Sequence, residues 1–403
     1  MRGKLLKSTR SAEIEWDRVA MYAGLLALVV CLLWHKLGTL VGGYSSSEAL
    51  IASHSSSLSY IFHNPINAPF LLLANAYTHL GANGLLATRL SSLTFGMVTL
   101  VVFFGLLRYW QGERLAVIGT VLFGCSAWFL HSARFGGPEV LLFGILMLTA
   151  IYIWVHRSDN AWVLLAGFIL TATMLYVPGM IVFIAVGLIL QWKKIDQAFK
   201  NNLWAVTFGG ILLIAALAPL GYAIYKTPDV AKVLVGLPAN GWPMPLDILK
   251  NFLNVPMHIF LKGPVEPARW LGHVPVLDYF TAAMFALGIY LYVQYRKLGR
   301  VKLCAGVFAL GWLLISLGGG MDVTVLVPFL YIVAVSGIGF MIDQWLTVFP
   351  RNVFAQYTGF ALIGLSLITV GWYSLTQYYV AWPHATATKQ IFTVQPSVTI
   401  NKS

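Results

Sequence analysis

The sequence predicts an all-α polytopic membrane protein of about eleven transmembrane helices with two large outer loops. Three observations predict it. Of 403 residues, 59% are hydrophobic and only 10% charged, whereas a soluble domain needs roughly a quarter of its residues charged. The apolar residues fall in runs long enough to cross a hydrocarbon core of about 30 Å. The basic residues sit in the short connections between those runs, where they set orientation.

Residues 1–18 are polar and basic, and form a cytoplasmic N-terminal segment. The first apolar run, 19–41, reads as an uncleaved signal anchor. The stretch 42–89 is an outer loop with two short apolar pieces, 57–62 and 69–80, predicted as interfacial or re-entrant helices. Further spans are expected at 90–107, 114–131, 138–155, 161–176, 178–192, 203–225, 276–295, 303–319, 323–341 and 355–375. The pair at 161–192 turns at Tyr176-Val-Pro-Gly179, a tight-hairpin signal. With the N-terminus inside, Arg108, Arg114, Arg157, Lys193, Lys194, Lys200, Arg296, Lys297, Arg300, Lys302 and Arg351 all fall in inside loops. The short outer connections hold only Lys36, Arg89 and Arg134. This alternation favours eleven spans, N-in and C-out.

The chain thereby divides into a catalytic membrane module at 19–225, a large extracytoplasmic loop at 226–275, C-terminal spans at 276–375 and an extracytoplasmic tail at 376–403. The large loop is rich in proline and mixed in charge, the pattern of a lid or small helical cap. Cys31, Cys125 and Cys304 lie inside apolar runs and read as small packing residues. The net charge of +12 lies in inter-helix loops rather than beside exposed aromatics, so no nucleic-acid partner is expected.

The outward-facing polar groups gather at span ends: Glu48, His54, His63, Arg89, His131, Arg134, Glu139 and Asp322. A carboxylate can take the proton of an attacking hydroxyl, and guanidinium groups can hold a departing phosphate. That combination suits sugar transfer from a polyprenyl phosphate, whose tail never leaves the bilayer. Each residue also has a plainer role. Glu48 can be a helix N-cap neighbour after its serine run, Arg89 and Arg134 snorkelling anchors, Glu139 a favourable charge at a helix start after Pro138, and the histidines interfacial.

Ser-Ser-Glu48 after the first span, Asn64-Pro65-Ile66-Asn67-Ala68-Pro69, Leu-Ala-Thr-Arg89-Leu-Ser-Ser and Ser-Ala-Arg134-Phe-Gly-Gly-Pro-Glu139 resemble the GT-C superfamily of membrane glycosyltransferases. The similar branch holds the protein O-mannosyltransferases, the aminoarabinose transferases and their bacterial relatives. The resemblance covers residues 15–200, and beyond them only the architecture agrees. It implies an acidic catalytic residue from the first outer loop, here Glu48, with Arg89 and Arg134 on the donor and a second acid, Glu139, in the second outer loop. His54, His63, Lys262, Arg269 and His273 complete the substrate-binding expectation, the last three by closing over the donor. The function expected is transfer of a sugar from a polyprenyl-phosphate donor to an envelope lipid, glycan or protein on the outer face of the cell membrane. Removal of Glu48 is expected to abolish transfer without disturbing the fold. With no Asp-x-Asp motif, a metal-independent reaction is the simpler expectation and a divalent cation the alternative. Two other functions compete: a lipid or glycolipid transporter or flippase, and an inactive GT-C relative that serves as an assembly partner, since Glu48 has no second acid beside it.

Overall fold

A computed structural model describes residues 16–395, except 159, 191, 240, 265–270 and 272. The chain folds as α1 (Trp16–Trp34), α2 (Ser46–Ser55), α3 (Leu58–His63), α4 (Ala68–His79), α5 (Gly84–Gln111), α6 (Glu113–Gly124), α7 (Ala127–Arg134) and α8 (Gly144–Arg157). Then follow α9 (Ala161–Met174), α10 (Met180–Leu190), α11 (Trp192–Asn201), α12 (Leu203–Lys226), α13 (Asp229–Val235) and α14 (Pro245–Phe260). The last are α15 (Tyr279–Gln294), α16 (Gly299–Ser316), α17 (Val327–Val348), α18 (Val353–Thr376), α19 (Trp382–His384) and α20 (Thr386–Ile391). Short 3₁₀ turns at Pro138–Phe143 and Val323–Val325 lead into α8 and α17. Among the described residues no strand forms, and one isolated bridge joins Tyr44 to Val394.

Six helices are long and apolar enough to cross a membrane, and the bent pair of α6 and α7 makes a seventh candidate. The other four predicted spans appear as shorter apolar helices: α1, α9, α10 and α15. At 1.5 Å per residue the 14 residues of α9 reach about 21 Å, short of a hydrocarbon core on their own. The count of eleven is therefore not met by helix length, although every predicted run lies on an apolar helix. The protein is multi-pass.

In lipid there is little hydrophobic drive for helices to associate, so close packing must come from small residues and interlocking shape. The α15–α17 pair shows this. A side chain at Gly288 would run into the Val333 carbonyl, and one at Gly337 into the Met284 carbonyl. From Val327 to Gly339, α17 is buried on all faces. Phe123 meets the rings of Phe103, Phe129, Phe143 and Tyr331 at the centre of the bundle. By contrast α18 leaves Phe354, Tyr357, Ile368 and Trp372 exposed, the surface of a helix that faces lipid.

Two departures from the predicted elements build the site. The first span ends at Trp34, seven residues before 41, because Lys36 adopts a left-handed backbone (φ 53°) and residues 35–41 close as successive turns. The carbonyls this break releases need donors. In addition, residues 377–384 do not begin a tail. They prolong α18 through a π turn at Gln377–Ala381 into α19, and the chain then folds back so that Val394 pairs with Tyr44, at 2.9 and 3.0 Å.

Candidate functional site

Glu48 lies in the first turn of α2, which starts at a capping box. Its backbone N–H donates to Ser45 Oγ (3.1 Å), and Ser45 N–H donates back to Glu48 Oε2 (2.9 Å). The serine run Ser45-Ser46-Ser47 thus starts a helix rather than a loose loop. Two long-range donors complete the shell. Arg89, in the second turn of α5, gives Nε to Oε1 at 2.8 Å and Nη2 to Oε2 at 3.1 Å. Gly136 N–H reaches Oε1 at 3.0 Å, an approach open only to glycine, since a Cβ there would strike Thr88 and the carboxylate itself. Both oxygens therefore accept two hydrogen bonds each, which fills the carboxylate's acceptor capacity. Glu48 is fully buried.

Arg89 is equally committed. Besides the carboxylate it donates to Leu37 O at 2.9 Å, in the turns that follow α1, and to Gly43 O at 3.0 Å, beside the Tyr44–Val394 bridge. Its guanidinium stacks 4.0 Å over the Tyr44 ring. Burial raises the Tyr44 phenol pKa above its ordinary value, with Arg89 lowering it and Glu48 raising it. The ring stays neutral and offers its face to the cation.

Arg134 differs. It ends α7, the helix that follows the 66° break after Gly124 and turns inward. Its Nη2 donates to the His35 carbonyl at the broken end of α1, and the guanidinium lies 5.2 Å from the Tyr378 ring and 4.9 Å from Tyr379. Among the described residues, Nε and Nη1 are buried without a hydrogen-bond partner, and only 3% of the residue is exposed. Glu139 sits half-buried in the first turn of the 3₁₀ segment Pro138–Phe143, past the Gly136-Gly137 bend.

Arg89 and Arg134 face a common cavity of about 10 Å³, lined also by Leu37, Val41, His131, Tyr378, Trp382 and Phe392. That volume holds about one water molecule. His131 is buried against Trp382 at 5.0 Å. The lid of the cavity comes from residues that the sequence reading assigned to a surface tail. Trp382 stacks on Tyr378 at 5.3 Å, and Phe392 meets Trp382 at 5.5 Å. The one signal for them was the aromatic density of Tyr378-Tyr379-Val-Ala-Trp382, which reads equally as an interface belt.

The remaining candidates stand apart. His54 stacks on Tyr60 at 4.2 Å, and His63 binds the Ser59 carbonyl and lies edge-on to Tyr222. Asp322 caps the Val323–Val325 turn through Thr324 N–H. Lys262 is exposed beyond α14, and Arg269 lies outside the described residues. Among the described residues, no three His, Cys, Asp or Glu side chains gather as a metal site.

The fold is similar to that of ArnT from Cupriavidus metallidurans. To its apo structure the TM-score is 0.58 at 13% sequence identity, covering 93% of this chain and 78% of that one. To the structure bound to undecaprenyl phosphate it is 0.55 at 13% identity, covering 94% and 77%. At that identity the likeness is one of fold, which is GT-C-like as the sequence motifs imply. No protein-family model and no curated protein sequence matches the chain.

Proposed function

We propose that this protein is an integral-membrane glycosyltransferase that takes a polyprenyl-phosphate sugar as donor, with its site at the outer face of the cell membrane. The observation that carries the reading is Arg134. Two of its nitrogens are buried with no acceptor among the described residues; leaving a buried guanidinium so uncompensated costs several kcal/mol, and two tyrosine faces offset only part of that. Such a group is poised for an anion, and a phosphate fits its planar donors. The neighbouring fold, ArnT, has been captured with undecaprenyl phosphate.

In the reaction, an acceptor hydroxyl attacks the anomeric carbon of the donor sugar. Its proton passes to Glu48, the bond from that carbon to the phosphate oxygen breaks, and the leaving polyprenyl phosphate keeps the electron pair beside Arg134. The closed site must open for this. A 10 Å³ cavity admits no sugar, and Glu48 accepts a new proton only after losing Gly136 N–H or a bond from Arg89. Displacement of the Trp382–Phe392 lid supplies the first opening. Arg89 fits better as the holder of Glu48 than as a phosphate ligand, since its donors are already engaged. The acceptor is an envelope lipid, glycan or protein.

The experiment is undecaprenyl phosphate binding to purified protein, wild type against Arg134→Gln, alongside sugar transfer. We expect affinity to fall by about tenfold or more, consistent with loss of a charge-assisted contact, while thermal stability holds or rises. Unchanged binding with full transfer would overturn the reading.

The filled shell of Glu48 favours a second reading, a GT-C relative that binds lipid phosphate but performs no transfer and acts as an assembly partner. In that case Arg134→Gln still loses lipid binding, yet no donor sugar is turned over by the wild type.

A further inference from the structure

The strap 386–395, made of α20 and the four residues after it, is lightly held for a segment that closes a buried site. Among the described residues, its backbone hydrogen bonds to the rest of the fold are the two of the Tyr44–Val394 bridge. Val394 packs against a small cluster of Tyr44, Ala52 and Leu85. Gln395 Nε2 reaches Gly42 O at the long distance of 3.5 Å. Thr388 is buried, and its Oγ1 has no partner among the described residues, a cost that docking has to carry. The deep anchor is Phe392. Its ring meets Phe135 at 6.2 Å and Trp382 at 5.5 Å, and it lines the cavity beside Arg134.

We propose that the strap is a lid displaced by the phosphate itself: strap docking and the seating of a phosphate on Arg134 exclude each other. The lid rests on the assignment of Arg134 to a phosphate and adds how that phosphate gains entry. Volume makes the two exclusive. With Phe392 in place the cavity of about 10 Å³ holds one water molecule, whereas a phosphate carries four oxygens. Energy favours the exchange. The docked strap leaves Arg134 Nε, Arg134 Nη1 and Thr388 Oγ1 buried without partners among the described residues. An incoming phosphate supplies acceptors to the guanidinium, and release of the strap returns Thr388 to water. A ligand that binds the open form alone shifts the strap toward it by mass action. The bridge also lies on the segment that holds Arg89. Gly43 O accepts from Arg89 Nη2 at 3.0 Å, and the Tyr44 ring lies 4.0 Å from that guanidinium. Opening the lid therefore loosens the hold on Arg89, and through it on Glu48, as the phosphate arrives.

The test is hydrogen–deuterium exchange of the full chain in detergent, read by mass spectrometry on peptides that cover 40–47 and 386–395. It is run without ligand, with undecaprenyl phosphate and with inorganic phosphate, alongside measured undecaprenyl phosphate affinity. A ligand that merely covers a site slows exchange, whereas one that displaces the strap speeds it. Saturating undecaprenyl phosphate is expected to speed exchange in 386–395 by about tenfold or more. The same acceleration by inorganic phosphate would keep the lid and assign it to the free anion. Val394→Pro removes the strap's N–H donor and leaves Gly43 and its bond to Arg89 in place. Without ligand it should speed strap exchange, and it should raise undecaprenyl phosphate affinity by the same factor, as linkage requires. Gly43→Val should act in the same direction. Lipid that binds with unchanged or slower strap exchange, and with equal affinity in both variants, would overturn the lid and leave Arg134 as the phosphate ligand. Absence of lipid binding in the wild type and in both variants would instead remove the assignment of Arg134, and the lid with it.

Discussion

Glu48 shows how much a single buried charge constrains its surroundings. The sequence alone leads to the expectation that its loss abolishes transfer without disturbing the fold, whereas the buried pair with Arg89 leads to the expectation that stability falls as well. Glu48→Ala strips Arg89 of its counter-ion in a fully enclosed position, a loss of about 3–5 kcal/mol in comparable buried pairs. It also leaves Ser45 N–H and Gly136 N–H without acceptors. The expected result is a clear fall in unfolding midpoint for Glu48→Ala and a partial recovery in the double variant Glu48→Ala/Arg89→Leu, which no longer buries a lone cation. If the single variant unfolds like wild type, the ion pair is not the anchor that its geometry indicates. Arg134→Gln tests the opposite case, a cation whose removal leaves no charge uncompensated and only the His35 carbonyl short of a donor. The contrast makes the two arginines experimentally separable, although the sequence offers them as equivalents. What distinguishes them is Glu48, which pairs with Arg89, together with the carbonyls of Leu37 and Gly43, whereas Arg134 holds the His35 carbonyl.

At the scale of elements, helix positions were legible because each long apolar run has no alternative to a helix in lipid. The break after Trp34 and the return of the C-terminal segment were not legible. Both depend on backbone groups finding partners far along the chain, which hydropathy does not encode. Gly43 marks the second of these. A Cβ there would lie 2.5 Å from the Phe392 carbonyl and 3.0 Å from that of Val394, so the 386–395 strap docks only against glycine. Gly43→Val should lift the strap without touching the transmembrane core. The checkable consequence is tryptic cleavage after Lys389, an exposed lysine on α20. Cleavage should speed up by about tenfold if docking weakens by about 1.4 kcal/mol. A rate equal to wild type would place the strap's stability elsewhere. In the core the same logic applies to α15 and α17. Gly337→Leu should cost at least about 1–3 kcal/mol, as overpacking does, and be seen as loss of folded protein in detergent.

For the whole molecule, the decisive property is that its charges are sorted by end. Arg89 and Arg108 both lie on α5, nineteen residues apart, and at 1.5 Å per residue the two are about 28 Å apart along the axis. That distance is close to a full hydrocarbon core. The Glu48–Arg89 node and the broken end of α1 therefore occupy one end of the bundle. Arg108 lies at the other, and the loop-borne Arg157, Lys193, Arg300 and Arg351 are read from the order of spans as its companions. Basic residues in short loops are retained on the cytoplasmic side, which supports the proposed position of the candidate site at the outer face. Cysteine accessibility decides between this orientation and its inverse. Lys262→Cys, on an exposed stretch of the large loop, should react with a membrane-impermeant maleimide in intact cells. Lys297→Cys, between α15 and α16, should react only after permeabilisation. Cys31, Cys125 and Cys304 lie in apolar helices or at their ends and give little background from the aqueous side. The inverted pattern would put Arg134 on the cytoplasmic face, where an outer-leaflet sugar donor never reaches it. It would thereby remove outer-face transfer while leaving the fold and the ion pair as they are.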